Sequence, residues 1–222
     1  MISFFKLIRW KNLFLIAISQ FLVKYALIEP FGVVNFTLNT FTFGLLVTAT
    51  VLIAAAGNII NDIFDIETDI INKPTRVIVG RKISEKLAFR FYVTFTSIGV
   101  MLGFYLSNLV NQKALSSIFV IVSVLLYLYA VQLKRTILVG NIIISILVAS
   151  SLLIVGIFDL FPAITVKNQV TQSTFFYIII DYALFAFLIN LVREIIKDIQ
   201  DINGDYKANI TTLPIAIGID RT

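Results

Sequence analysis

Long apolar runs separated by short polar clusters are the dominant pattern along this chain. Hydrophobic stretches near residues 12–34, 41–63, 87–108, 114–133, 137–158 and 174–196 each approach the roughly 20 residues that a helix needs to cross a bilayer. Membrane β-barrels alternate apolar and polar positions along every strand, and these runs do not. The pattern therefore predicts an all-α, polytopic transmembrane helix bundle of about six complete spans. Composition agrees. Hydrophobic residues make up 59% of the chain and charged residues 14%, and the mean hydropathy is +0.95, well outside the range of soluble domains. The start, Met1–Asn12, is basic and aromatic like the leading part of a signal peptide, yet no small-residue cleavage pattern closes the run that follows. It predicts an uncleaved first helix preceded by a short interfacial segment carrying Trp10.

The positions of Lys and Arg set the orientation. One set of connections holds Lys6, Arg9, Lys11, Lys73, Arg76, Arg81, Lys82, Lys86, Lys134, Arg135, Arg193, Lys197 and Lys207, while the other side has only Lys24, Lys113 and Lys167. The positive-inside rule assigns the first set to the cytoplasm. The basic residues thus follow the membrane, and nucleic acid is not an expected partner.

Two acidic segments interrupt this apolar design, both on the predicted cytoplasmic side. The first reads Asp62-Ile-Phe-Asp65-Ile-Glu67-Thr-Asp69 and the second Asp198-Ile-Gln-Asp201-Ile-Asn-Gly204-Asp205. They share the pattern D-I-x-D-I-x-x-D at an offset of 136 residues (62 to 198, 69 to 205), the signature of an internal duplication. On a helix, positions i, i+3 and i+7 fall within about 60° of one another, so each segment presents a ladder of three carboxylates. Asn58 and Asn61 share the face of the first ladder. Glu67 points about 140° away from Asp62 and is set aside. Gly204 is expected to let the second helix end and turn. An ionised carboxylate at the bilayer centre costs about 2.5–3.5 kcal/mol on insertion scales, so both ladders must line a wet cavity or the interface. Ordinary solvated loop charges are the bland reading of any one aspartate; two ladders of identical spacing argue for a binding site.

The residue inventory narrows the chemistry. With no Cys and no His, thiolate nucleophiles, disulfides and imidazole bases are excluded. What remains is carboxylates, amides, Tyr, Lys, Arg and a bound metal. Mg2+ takes oxygen ligands, commonly one or two carboxylates plus substrate phosphate and water, and two facing ladders suit a diphosphate held between metals. Lys73, Arg76, Lys134 and Arg135, beside the ladders, are suited to clamping phosphate oxygens, as are Arg193 and Lys197. Arg81, Lys82 and Lys86 are read as positive-inside charges only.

The segment Asn61-Asp62-x-x-Asp65-x-x-x-Asp69 resembles the first signature of the UbiA superfamily of membrane prenyltransferases, and Asp201-x-x-x-Asp205, preceded by Asp198, resembles the second. Lys73-Pro74-Thr75-Arg76 matches the K-P-x-R after the first signature, although Val77 stands where a second Pro is common. Tyr129-Ala-Val-Gln-Leu-Lys134-Arg135 is similar to the family's Tyr-to-Lys segment. The resemblance covers nearly the whole chain, 1–222, as one prenyltransferase domain. It implies that Asn61, Asp65, Asp69, Asp201 and Asp205 bind Mg2+, and that Asp62 and Asp198 support them or add ligands. It further implies that Lys73, Arg76, Lys134 and Arg135 hold the diphosphate and that Tyr129 faces the allylic cation. Asn58, Arg193 and Lys197 complete the expected substrate-binding set. The donor would be a polyprenyl diphosphate. The run Arg193-Glu194-Ile-Ile-Lys197-Asp198 through Thr211-Thr212-Leu213-Pro214 is most similar to the branch that prenylates geranylgeranylglyceryl phosphate; a quinone precursor, hydroxybenzoate or dihydroxynaphthoate, is the alternative acceptor.

Family members carry two or three further spans, whereas this sequence reaches Thr222 as a seventh apolar segment begins at Leu213. The resemblance thus implies a C-terminally truncated bundle, weakly active unless an oligomer closes it, because polar cavity groups facing lipid are costly. A cation transporter is the rival from another class. Transport sites sit near mid-membrane, where Asp181 is the main candidate. A CDP-alcohol phosphotransferase would need a longer Asp-Gly motif that is absent, and a purely structural subunit leaves both ladders unexplained.

Overall fold

A computed structural model describes residues 2–207 and 210–222. Helix α1, Ile2–Leu7, turns at Arg9 into α2, Trp10–Phe21, which continues through a π-helical stretch at Leu22–Ile28. Helix α3 covers Thr40–Phe64 and is followed directly by the short α4, Ile66–Asn72. Then come α5, Glu85–Leu109, α6, Ser116–Val131, and α7, Val139–Val155, extended by a second π-helical stretch at Gly156–Leu160. The long α8 runs Gln169–Lys207, and α9 is Leu213–Ile217. Among the described residues six helical segments are long and apolar enough to cross a membrane: Trp10–Phe31, Thr40–Phe64, Glu85–Leu109, Lys113–Val131, Val139–Ala163 and Gln169–Lys207. The chain is an integral membrane protein, with each span close to its predicted position.

Local chemistry explains the element boundaries. The Asn39 side chain accepts from the Thr42 amide at 2.9 Å and starts α3. Ser84 does the same for α5 through Leu87 at 3.3 Å, in each case satisfying one of the helix's orphan donors. Helix α3 is the hub: it carries the run Ala54-Ala55-Ala56-Gly57 and packs most extensively against α5. At Gly99 of α5 any Cβ would press on Ile53 of α3, so the missing side chain permits that close approach. The main core gathers Phe43, Leu46, Leu106, Phe119, Phe158 and Ile179, and a smaller cluster of Leu7, Ile59, Val79 and Ala88 anchors α1 against α3 and α5.

Three expectations require correction. Gly204 does not end α8, which continues to Lys207, and the glycine is buried against the Asn72 side chain, which occupies the space of a Cβ. The first ladder is not on one unbroken helix, since α3 gives way to α4 at Asp65 (φ −98°, ψ 4°). Amide–carbonyl bonds from Asp65 to Asn61 (2.9 Å) and from Asp69 to Asp65 (2.8 Å) nevertheless carry the helical register across the break. Trp10 opens α2 rather than lying in the preceding segment, and is half exposed.

Candidate active site

A cleft of about 530 Å³ opens at one end of the bundle, and all six ladder aspartates line it. Asp62, Asp65 and Asp69 come from the end of α3 and from α4; Asp198, Asp201 and Asp205 come from α8. Eight basic side chains share the lining: Lys6, Arg9, Lys73, Arg76, Lys82, Lys134, Arg193 and Lys197. Cations outnumber carboxylates, so the cleft suits a polyanion better than a bare metal ion.

The charges are interlocked across the elements. The Lys134 ammonium meets Asp65 Oδ1 at 2.6 Å and Asn61 Oδ1 at 3.4 Å, while Asn61 Nδ2 donates to Asp65 Oδ2 at 2.6 Å. Lys73 meets Asp201 Oδ2 at 2.6 Å. Arg9 pairs with Asp62 at 2.8 Å from a left-handed backbone (φ 54°, ψ 52°). A non-glycine residue there costs on the order of 1–2 kcal/mol, so the turn between α1 and α2 is held by the ion pair it delivers. Asn141 donates to Asp198 Oδ2 at 2.8 Å. In the cleft lining Arg193 and Lys197 flank the buried Glu194 at 3.4 and 3.3 Å, and behind the lining Asn190 donates to Ser145 at 3.2 Å.

Titration behaviour outside the spans reflects this crowding. Burial and the neighbouring Asp65 charge push the Asp69 carboxyl above its ordinary value. Burial lowers Lys134, with Asp65 opposing the shift. Burial also works against the charge on Arg9, but Asp62 and Asp65 outweigh it and hold the guanidinium above its usual range. The crowding of the Asp65 and Asp69 carboxylates favours an incoming counter-ion.

The donor set is all oxygen, which suits a hard divalent cation. Among the described residues no three acidic side chains converge into a preformed metal cage. Asp201 Oδ1, however, is buried without a hydrogen-bond partner. Carboxylates with unused oxygens, brought together without a closed cage, fit a cation that is completed by substrate phosphate.

Thirteen of the fifteen residues singled out from sequence line this cleft. Asn58 does not: its Nδ2 donates to the Ile8 carbonyl at 3.0 Å and ties α3 to the end of α1. Arg135 is exposed and outside the lining, whereas its neighbour Lys134 points in. Lys82, read as a positive-inside charge only, lines the cleft. Asp181 is exposed on α8, away from the cleft. Sequence reasoning missed Arg9, Asn72 and Asn141 as site residues. Arg9 had a signal in the basic N-terminal cluster; Asn72 and Asn141 had none beyond being polar near the ends of apolar runs.

The UbiA prenyltransferase family model matches residues 16–222. The digeranylgeranylglyceryl phosphate synthase of Methanothermobacter thermautotrophicus is 38% identical over 181 residues, 81% of this chain and 58% of the relative. That of Methanosarcina mazei is 34% identical over 226 residues, 99% of this chain and 72% of the relative. A solved structure of a digeranylgeranylglyceryl phosphate synthase superposes with a TM-score of 0.66 at 31% identity, over 98% of this chain and 69% of that one. The chain thus spans little more than half the length of the Methanothermobacter relative. With both signature segments facing each other across one cleft and the family model matching almost end to end, this chain belongs to the UbiA prenyltransferase family.

Proposed function

We propose that the cleft binds the diphosphate of a polyprenyl donor, geranylgeranyl diphosphate, and transfers its isoprenyl group to the free hydroxyl of geranylgeranylglyceryl phosphate, on the cytoplasmic face of the membrane. The observation that carries this reading is the meeting of six aspartates and eight basic side chains in a single cleft. The names of the relatives support the acceptor.

In this reading Asn61, Asp65, Asp69, Asp201 and Asp205 hold Mg2+, with Asp62 and Asp198 behind them. When bound, Mg2+ supplies Lewis-acid neutralisation of the diphosphate leaving group. The chain's own cations do the rest. Lys73, Arg76 and Lys134 take the diphosphate oxygens, and for Lys73 and Lys134 this means exchanging a carboxylate partner for a phosphate one. The allylic C–O bond breaks with its electron pair leaving on diphosphate. Tyr129, in the cleft wall, turns its ring towards the resulting cation. The acceptor hydroxyl oxygen then forms the new C–O ether bond, and its proton passes to the departed diphosphate.

The test is a prenyl-transfer assay of the protein in lipid, with Mg2+, geranylgeranyl diphosphate and three competing acceptors, read by product mass. The expected product is digeranylgeranylglyceryl phosphate, lost in Asp65→Ala and Asp201→Ala. Prenylated hydroxybenzoate or dihydroxynaphthoate would move the acceptor to the quinone branch. Unchanged turnover in both variants would falsify the cleft assignment.

A further inference from the structure

Asn72, the last residue of α4, touches α8 at two points. Its Nδ2 donates to the Asp201 carbonyl at 3.0 Å, and its Oδ1 accepts from the Gly204 amide at 2.8 Å. A Cβ at Gly204 would fall on the Asn72 amide, so glycine is the residue that permits the contact. The next residue, Lys73, holds Asp201 Oδ2 at 2.6 Å. Two consecutive residues therefore grip Asp201 at its carbonyl and at one carboxylate oxygen, and the other oxygen is left without a partner. Hydrophobic packing explains little of this α4–α8 contact: α4 has no fully buried residue, Ile70 and Ile71 are exposed, and the half-buried Ile66 packs against the smaller core cluster of Leu7, Ile59, Val79 and Ala88. A single apolar contact would fix only a distance. Two hydrogen bonds to backbone groups three residues apart also fix rotation.

We propose that Asn72 is a positioning residue: its side-chain amide docks α4 onto α8 and so sets the separation and facing of the two aspartate ladders. Its catalytic relevance rests on the diphosphate-site reading above, but the docking itself does not. The sequence contains no cysteine, so spin labels can be placed cleanly at Glu67→Cys and Asn203→Cys, both exposed, and the distance between ladders read by electron paramagnetic resonance. The parent should give a narrow distribution, and Asn72→Ala a broad one. Loss of a side chain that orients a metal-binding carboxylate typically weakens affinity about 10–100-fold, so Mg2+-dependent binding of inorganic pyrophosphate, measured by calorimetry, should fall by about that factor. Gly204→Ala should broaden the distribution in the parent and add little in the Asn72→Ala background, because the clash needs the amide. The inference is overturned if Asn72→Ala leaves the distribution narrow, or if Gly204→Ala has the same effect with and without Asn72. A parent that binds no pyrophosphate would sink the diphosphate reading instead, and the label distances would still decide the docking role.

Discussion

At the end of the bundle opposite the cleft, Lys24 and Asp159 meet at 2.6 Å, the same separation as Lys73–Asp201 and Lys134–Asp65. The surroundings differ completely. The side chains of Lys24 and Asp159 are 4% and 1% exposed, against 28% and 15% for Lys73 and Asp201. Asp159 Oδ1 accepts from the Leu38 amide at 2.8 Å, its carbonyl accepts from the Thr37 amide at 3.0 Å, and Lys24 also donates to the Leu38 carbonyl at 2.7 Å. Phe36 and Phe43 each place a ring face 4.8 Å from the ammonium. Both residues sit in the two π-helical stretches, where a widened turn brings Lys24 and Asp159 inward. This pair is saturated and dry, and it closes the bundle. The cleft pairs are wet, share partners and leave an aspartate oxygen unused. A lysine–aspartate contact is therefore no mark of function by itself; what marks the cleft is an unpartnered carboxylate oxygen in a pair that is itself only partly buried.

The largest expected difference between the two ends lies in what alanine does. Asp201→Ala should abolish most transfer activity, by at least about a hundredfold as for other lost electrostatic stabilisers, with little change in unfolding midpoint. Asp159→Ala should do the reverse, costing about 3–5 kcal/mol because it strands a buried cation, as read by denaturant unfolding in detergent. If both variants lose only activity, the contrast between the ends fails. Lys24→Met combined with Asp159→Leu should recover part of that stability but not all, since the Leu38 amide and carbonyl lose their partners. Next in size, Arg9→Ala should release Asp62 and lower transfer about tenfold, the lower bound for loss of a supporting partner, while Arg135→Ala should leave the rate near that of the parent.

The smallest effect is on pH. Because the folded Asp69 carboxyl sits above its unfolded value, the folded state holds the proton more tightly across the interval between the two. Stability is then highest below the ordinary carboxylate range and falls as pH rises through the raised value. Unfolding midpoints of metal-free protein should show this slope, and Asp69→Asn should flatten it.

Much of this was legible beforehand. The six spans follow from run length alone, because a bilayer demands it, and the ladders were visible because aspartate is so costly among apolar neighbours. The parts that were not legible depend on tertiary approach. Nothing local distinguishes Asn58, which ties α3 to Ile8, from Asn61, which faces the cleft. Arg9 became a site residue only because a left-handed turn folds it back over α3. Gly204 looked like a helix end because glycine usually marks one, yet here it answers a side chain 132 positions away.

The unbroken course of α8 has a consequence for how the sequence tolerates length changes. Its 39 residues make a rod of about 58 Å, nearly twice the roughly 30 Å hydrocarbon layer. Gln172, hydrogen-bonded to the Asn35 carbonyl, pins one end, and the second ladder rides near the other. Inserting one residue between Asn190 and Asp198 would turn every following side chain by about 100°, swinging three aspartates out of the cleft together. The same insertion in the exposed 165–167 connection, which contributes nothing to the cleft, would be absorbed by the loop.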